Sequence, residues 1–152
     1  MNIKTQKAFT MVELIFVIII IGILSAIAVP KFTETAHSAY DAKGGSILVN
    51  VMSAIALERQ KRILKGDFDA IEDLGDSTYA FSKFKNGNQN DVLAFSAKNC
   101  TSGQAGCWSR TDATHYIYNF SDSNDGNAKF KLEKNRLVCD NDSSDCDKLL
   151  SR

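Results

Sequence analysis

An apolar run at residues 9–29 limits the folds open to this chain more than anything else in it. The run reads FTMVELIFVIIIIGILSAIAV, and Glu13 is its one charged side chain. As an α-helix it is about 31 Å long, which matches the hydrocarbon core of a bilayer at about 30 Å. A helix that is apolar on every face lies inside a large protein or a membrane, and 152 residues provide only about one domain. The run therefore predicts a membrane-spanning helix.

Two alternatives to an uncleaved anchor agree less well with this run. A secretory signal has a shorter apolar stretch that ends at a small-residue cleavage site, whereas this run ends at Pro30. A buried core helix would need more protein around it than the rest of the chain provides. Residues 1–8 carry Lys4 and Lys7 and no acid, so the positive-inside rule keeps them in the cytoplasm and exports the remainder. We expect a precursor in the inner membrane with its head in the periplasm.

Glu13 is the residue that a plain anchor does not explain. A charged side chain inside a bilayer costs about 3 kcal/mol, and less where it snorkels near the end of a span. If the chain were cut between Ala8 and Phe9, the new α-amine of one subunit could neutralise Glu13 of a neighbour in a bundle of apolar helices. Such a pair would also fix the axial register between chains.

The order of these features resembles a known processing signal. A basic leader, a small residue, the stretch FTMVE at residues 9–13 and a long Ile/Leu/Val run are similar, over residues 4–32, to the class III signal of type IV pilins and type II secretion pseudopilins. The resemblance implies that a prepilin peptidase cuts between Ala8 and Phe9 and N-methylates Phe9. It also implies that Glu13 acts in subunit docking. Most family members have Gly where this chain has Ala8.

The same resemblance implies flexibility within the helix and a set of partners. Gly22 loosens one turn, and Pro30 removes a backbone donor and kinks a helix. In the family this segment is thought to extend when subunits pack in a filament; an ordinary proline kink at the membrane exit is the alternative. The implied partners are copies of the chain or related pilins in a helical filament, and the assembly platform and ATPase of an export machinery.

Helical periodicity resumes after Pro30. An apolar stripe with the i, i+4, i+8 spacing of one helix face comprises Ile47, Leu48, Val51, Met52 and Ile55. Gly44 and Gly45 form a weak point, at about 1 kcal/mol each relative to Ala. We expect the helix to end near Lys65 and Gly66.

We therefore divide the chain into four segments. Residues 1–8 are the leader, residues 9–30 the transmembrane and assembly helix, residues 31–66 its amphipathic continuation, and residues 67–152 a globular β-rich head. Strands are predicted at residues 79–84, 91–97, 115–120, 128–132 and 136–139. The last three form an antiparallel meander, with turns at residues 121–127 and 134–135. The amphipathic half of the long helix is the only element available to cover this sheet, so the fold class is α+β.

Four cysteines lie in the exported part: Cys100, Cys107, Cys139 and Cys146. They form two pairs with six residues between partners, and three connectivities are open. We favour Cys100 with Cys107 and Cys139 with Cys146, although the sequence alone does not choose among the three. Closing each short loop would contribute about 2.5 kcal/mol, and an oxidising compartment agrees with disulfides. A zinc site is the alternative, although zinc fingers have two to four residues between ligands.

The remaining sequence offers little for catalysis or ligand binding. It has no HExxH, GxSxG, Walker-type or CxxC motif, so we predict no enzymatic activity and no cofactor. The 18 basic and 18 acidic residues balance, so no basic field attracts nucleic acid. An acidic cluster near the end could bind calcium, but a solvated tail is the better interpretation: Asp140, Asp142, Asp145 and Asp147.

These observations predict a structural subunit of a type IV pilus-like filament. A pseudopilin of a type II secretion system is the alternative within the same class. A membrane-anchored binding or enzymatic domain that never polymerises is the alternative from another class. Cleavage after Ala8 separates the first two from the third.

Overall fold

The computed structural model describes residues 9–85, 91–101, 103–122, 124–140 and 144–151. Helix α1 (Met11–Leu64) comes first and helix α2 (Ser144–Leu150) last. Between them lie six strands: β1 (Tyr79–Phe81), β2 (Ala97–Lys98), β3 (Cys107–Arg110), β4 (His115–Asn119), β5 (Asn127–Glu133) and β6 (Arg136–Cys139). The chain divides into two compact units, Met1–Ala36 and His37–Arg152, which are described separately.

The part of α1 in the first unit is helical at every residue from Met11 onward. This includes Gly22 and Pro30. The Pro30 carbonyl oxygen accepts a hydrogen bond from the Thr33 hydroxyl at 2.7 Å. The predicted apolar helix is therefore present, and neither residue interrupts it.

The part of α1 in the second unit carries the predicted apolar stripe. Leu48, Val51 and Ile55 are buried, and Ile47 and Met52 are half-buried against the same core. The prediction of this face is confirmed.

Helix α1 ends where its basic last turn meets glycine. Gly66 has a φ of 75°, and the Asp67 N–H donates to the Arg62 carbonyl at 2.9 Å. This closure is typical of a helix C-terminus that turns through a left-handed glycine. The predicted end near Lys65 and Gly66 is confirmed, because α1 stops at Leu64.

The main sheet has four antiparallel strands in the order β3-β4-β5-β6. Its last three strands are the predicted meander. Lys134 and Asn135 both have positive φ, 49° and 61°, between the paired residues Glu133 and Arg136. This is a two-residue hairpin turn of the kind that matches strand twist. Strands β1 and β2 form a separate antiparallel pair.

One face of the main sheet and the buried stripe of α1 form a single core. Alternate residues of β4 and β5 point into it, as the burial of Tyr116, Tyr118, Phe130 and Leu132 shows. Trp108 of β3 is 1% exposed and contacts several of these rings. The result is the α+β architecture that the resemblance implies.

The strand predicted at residues 91–97 is wrong for most of its length. Asp91 makes only an isolated bridge with Lys83, and regular pairing resumes at Ala97. The Val92 N–H donates to the Ser82 carbonyl at 2.9 Å, but the chain then bends and leaves Phe95 exposed. The first predicted strand is also shorter than expected, because β1 ends at Phe81.

Two elements were not predicted, β3 and α2. Helix α2 packs on β5, and its Cys146 and Leu149 are buried in the core. The prediction that α1 alone covers the sheet is therefore wrong. The expected acidic tail is helical at Asp145 and Asp147, which lie in α2; Asp147 is exposed to solvent as expected and Asp145 is half-buried, while Asp142 lies outside the described residues.

Candidate functional site

The apolar surface of the first unit is the largest candidate site. Sixteen large apolar side chains from Phe9 to Phe32 are between 42% and 82% exposed. Residues 14–21 are eight consecutive apolar residues, more than two helical turns, so every side of the helix is apolar. By length and composition this helix can cross a membrane. No side chain of the chain itself covers this surface within the described residues of the unit.

The N-terminus of α1 is closed by a reciprocal pair of hydrogen bonds between Thr10 and Glu13. The Thr10 N–H donates to Glu13 Oε2 at 3.0 Å, and the Glu13 N–H donates to Thr10 Oγ1 at 3.2 Å. The Thr10 hydroxyl also donates to Glu13 Oε2 at 2.9 Å. This is a capping box, which satisfies backbone donors that no helical carbonyl can reach. The T-x-x-E spacing signals it, and our reading of the sequence missed it.

The capping box gives Glu13 a defined position relative to Phe9. Its carboxylate lies at the positive end of the helix dipole, within one turn of the predicted new N-terminus. The Phe9 side chain is 82% exposed. Ala8, on the other side of the predicted cleavage bond, lies outside the described residues. The Glu13 carboxylate and the predicted processing site therefore lie at the same end of the apolar part of α1.

Gly22 is not required by any contact within the described chain. A Cβ at Gly22 would meet nothing within 4 Å, so the chain's own packing does not select glycine there. The flexibility predicted for Gly22 and Pro30 stays a prediction.

The cysteines lie in the second unit, in the favoured connectivity. Cys100 is bonded to Cys107, at the start of β3. Cys139, at the end of β6, is bonded to Cys146 of α2. Both bridges brace the head, and neither lies near Phe9 or Glu13 in sequence. Within the described residues, no group of three or more His, Cys, Asp and Glu side chains is placed to hold a metal ion.

The charged groups of the head form contacts within the head itself, between a loop and the main sheet. The Asp73 carboxylate is buried and accepts two hydrogen bonds from Arg110, from Nε at 2.9 Å and from Nη2 at 2.5 Å. This contact raises the pKa of Arg110. Asp73 also accepts from the Tyr116 hydroxyl at 3.2 Å, and burial raises the pKa of Tyr116. The three groups fix the loop before β1 against the sheet.

Comparison with known proteins identifies the N-terminal segment. Residues 3–29 match the family described as the prokaryotic N-terminal methylation motif. The chain is 47% identical over 51 residues to the "Type IV narrow pilus major component PilA5" of Thermus thermophilus, covering 34% of this chain and 44% of that protein. It is 36% identical over 63 residues to a "Fimbrial protein" of Pseudomonas aeruginosa, covering 41% of this chain and 38% of that one.

The match thus spans less than half of the length of these relatives. No solved structure matches the chain. Residues 3–29 thus match a methylation motif, and over 51 to 63 residues the chain is similar to a protein named as a type IV pilus component and to one named as a fimbrial protein.

Proposed function

We propose that this chain is a structural subunit of a type IV pilus-like filament, assembled through the helix of residues 9–30. The observation that carries the proposal is the apolar surface of the first unit, exposed on all sides around a single capped carboxylate. Such a surface is stable only against lipid or other apolar helices. Two environments in succession, the membrane and then neighbouring subunits, would each cover it.

Processing would create a positively charged partner for the Glu13 carboxylate. A prepilin peptidase cuts between Ala8 and Phe9 and methylates the Phe9 amine, which stays cationic. The Phe9 amine of one subunit then pairs with Glu13 of a neighbour. A paired charge is tolerable in an apolar bundle, and an unpaired one is not. The pair also selects one axial register among the many that apolar packing alone would allow.

The precursor would reside in the inner membrane, with residues 1–8 in the cytoplasm and the head in the periplasm. An assembly platform and its ATPase would move subunits into a periplasmic or surface filament. The chain itself would have no enzymatic activity and no cofactor. A pseudopilin of a secretion system would use the same helix in the same way, so a filament that drives protein secretion is the second candidate.

Variants at Glu13 test the mechanism because its two roles are separable. Glu13→Gln keeps an acceptor for the Thr10 N–H and so keeps the capping box, but it removes the charge. Glu13→Ala removes both. Glu34→Ala is the matched control, since Glu34 lies on the same helix in an exposed pair with Lys31 at 3.3 Å.

The measurements are intact-mass analysis of the mature chain and electron microscopy of filaments. We expect loss of residues 1–8, a methylated Phe9 and normal filaments for the native chain and for Glu34→Ala. Both Glu13 variants should reach the membrane but yield few filaments. Normal filaments from Glu13→Gln would remove the charge pair from the mechanism. An unprocessed native chain that never associates, in cells with a working assembly machinery, would favour a non-polymerising anchored domain.

A further inference from the structure

An apolar groove in the second unit runs beside α1 and around Phe95. We call it the Phe95 groove: two adjoining cavities of about 460 Å³ and 480 Å³, which share Lys43, Ile47 and Phe95 as lining residues. Phe95 is 92% exposed. Leu57, Leu93 and Phe95 line one of these cavities together, and a contiguous exposed apolar patch of this kind is typical of a protein contact surface.

The charge of the Phe95 groove has one sign. Among the described residues that line it, only Lys43 and Lys98 are charged, which gives a charge of +2 with no acid. Within the described parts of the chain, neither lysine forms an ion pair. A partner that fills this groove should therefore combine an apolar side chain with carboxylates.

A surface of that composition follows the end of α1 in the same chain. We call residues 64–69 the Phe68 knob: Leu64 is 88% exposed, Phe68 is 69% exposed, and Asp67 and Asp69 flank the ring in sequence. Residues 64–69 contain two acids and one lysine, a net charge of −1. The knob and the groove thus have charges of opposite sign around exposed aromatic rings.

Hydrogen bonds hold the Phe68 knob in place. The Asp67 N–H donates to the Arg62 carbonyl at 2.9 Å, and the Asp69 N–H donates to Asp67 Oδ1 at 3.0 Å. The Ile71 N–H donates to Asn135 Oδ1 at 2.6 Å, which ties the segment to the sheet. A surface that is already ordered loses little conformational entropy on binding.

The two surfaces are separate on the subunit. Along α1 the groove lining ends at Leu57 and the knob begins at Leu64, and the helix advances by about 10 Å between these two residues. A contact between two different surfaces of identical chains is heterologous, and it generates an open helical array when the rotation does not close.

We propose that the Phe68 knob of one copy docks in the Phe95 groove of a second copy, with Asp67 and Asp69 facing Lys43 and Lys98. This contact rests on the proposed filament function and adds to it an interface between the globular heads of two subunits. It is independent of Glu13 and of the apolar helix.

Site-specific photo-cross-linking in the native filament locates the contact. Phe95 is replaced by the photoreactive p-benzoylphenylalanine, which keeps an aromatic ring, in the full-length chain in its own cells. After irradiation, peptide mass spectrometry should find the second copy linked within residues 64–72. Cross-links to any other segment would overturn the inference.

Charge reversal tests the same contact by function. Lys98→Glu or Asp69→Lys alone should lower the yield of filaments about tenfold, because like charges then face each other at the interface. The combination of both should restore most of the yield. Lys129→Glu is the control, an exposed lysine on β5 outside both surfaces. If the combined variant yields no more filaments than the single variants, the proposed pairing is wrong.

The two proposals fail in different ways. If the native chain keeps residues 1–8 and gives no cross-link between copies, both fail. If native filaments form with a methylated Phe9, but the Phe95 probe reaches a segment other than the knob, only the head contact fails.

Discussion

The backbone of Gly44 lies directly against the ring of Tyr118. A Cβ at position 44 would overlap ring atoms Cε2 and Cζ. The Trp108 indole N–H donates to the Gly44 carbonyl at 3.2 Å, and the Tyr118 hydroxyl donates to the Tyr40 carbonyl at 2.9 Å. Tyr118 and Trp108 of the sheet therefore pack against α1 in the space that a side chain at position 44 would fill.

Gly44→Ala is expected to destabilise the head by about 1–2 kcal/mol. The clash with Tyr118 costs about 1–3 kcal/mol, and the better helix propensity of alanine recovers up to about 1. Thermal unfolding of the full chain in detergent, followed by the near-ultraviolet signal of Trp108, measures the change. Gly22→Ala is the matched control, since a Cβ there meets nothing within 4 Å and should not lower the midpoint. Equal midpoints for the Gly44 variant and the native chain would contradict the packing.

Arg110→Met is expected to cost the head about 2–3 kcal/mol of unfolding free energy. The substitution leaves the Asp73 carboxylate buried without its cation, and partial exposure of Arg110, at 18%, reduces the penalty. Lys148→Met removes the more exposed contact with Asp145 and should cost less than Arg110→Met. Denaturant titration of both variants compares them. If both variants lose the same free energy of unfolding, the Asp73–Arg110 pair contributes no more to stability than an exposed ion pair.

The head should lose stability as the pH falls from about 5 to 2. The Thr114 N–H and the His115 ring hold the pKa of Asp112 well below its ordinary value of 3.8, and the N–H groups of Tyr79 and Thr78 lower the pKa of Asp76. A carboxyl whose pKa is depressed by folding stabilises the folded state above its ordinary pKa. This stabilisation disappears as the pH falls towards the folded-state value, because the unfolded state then binds more protons.

Asp112→Asn should therefore lower the unfolding midpoint more at pH 6 than at pH 2, because part of the stabilisation is already lost at the lower pH. Asp147→Asn is the control, because within the described residues the carboxylate of Asp147 accepts no hydrogen bond. Midpoints measured across this range give the result. A difference between the Asp112 variant and the native chain that stays constant with pH would show that protonation of Asp112 is not involved.

Removal of the Cys139–Cys146 bridge should lower the free energy of unfolding by more than about 2.5 kcal/mol, which is the part expected from the entropy of the unfolded chain alone. This bridge fastens α2, whose seven residues are too few for a stable isolated helix. The Cys100–Cys107 bridge closes a loop of the same length and serves as the comparison. Double Cys→Ala variants of each pair, compared by denaturant unfolding and amide exchange at Leu149, test this. Exchange at Leu149 should accelerate only when the bridge to α2 is absent.

The elements that the sequence predicts well have strong local signals. The stripe at Leu48, Val51 and Ile55 repeats over two turns, and the meander strands are separated by turn residues such as Asn135. The end of α1 carries basic residues followed by Gly66. In each of these places local preference and tertiary packing favour the same conformation.

The elements that the sequence predicts poorly depend on distant partners. Strand β3 is four residues long and exists because it pairs with β4, with Trp108 opposite Tyr118. Helix α2 is short and acidic, and a disulfide and the burial of Leu149 hold it in place. Residues 91–97 show the converse case: an apolar run that reads as a strand bends instead, and it places Phe95 on the surface.

At the candidate site, the spacing of Thr10 and Glu13 contained a capping signal that the family resemblance obscured. The sequence predicts a role for Glu13 between subunits, and it does not predict the role that the structure gives this residue inside the subunit. Gly44 is a second case. Its low helix propensity can be read from the local sequence, but the packing that it allows involves the ring of Tyr118, 74 residues further along the chain.

The capping box has a consequence for how a waiting precursor behaves. In the proposed membrane-inserted precursor, Thr10 would already donate hydrogen bonds to the Glu13 carboxylate before any amine of a neighbour arrives. An arriving amine would exchange one set of hydrogen bonds for another, so each addition to a growing fibre would release less net free energy than a bare ion pair.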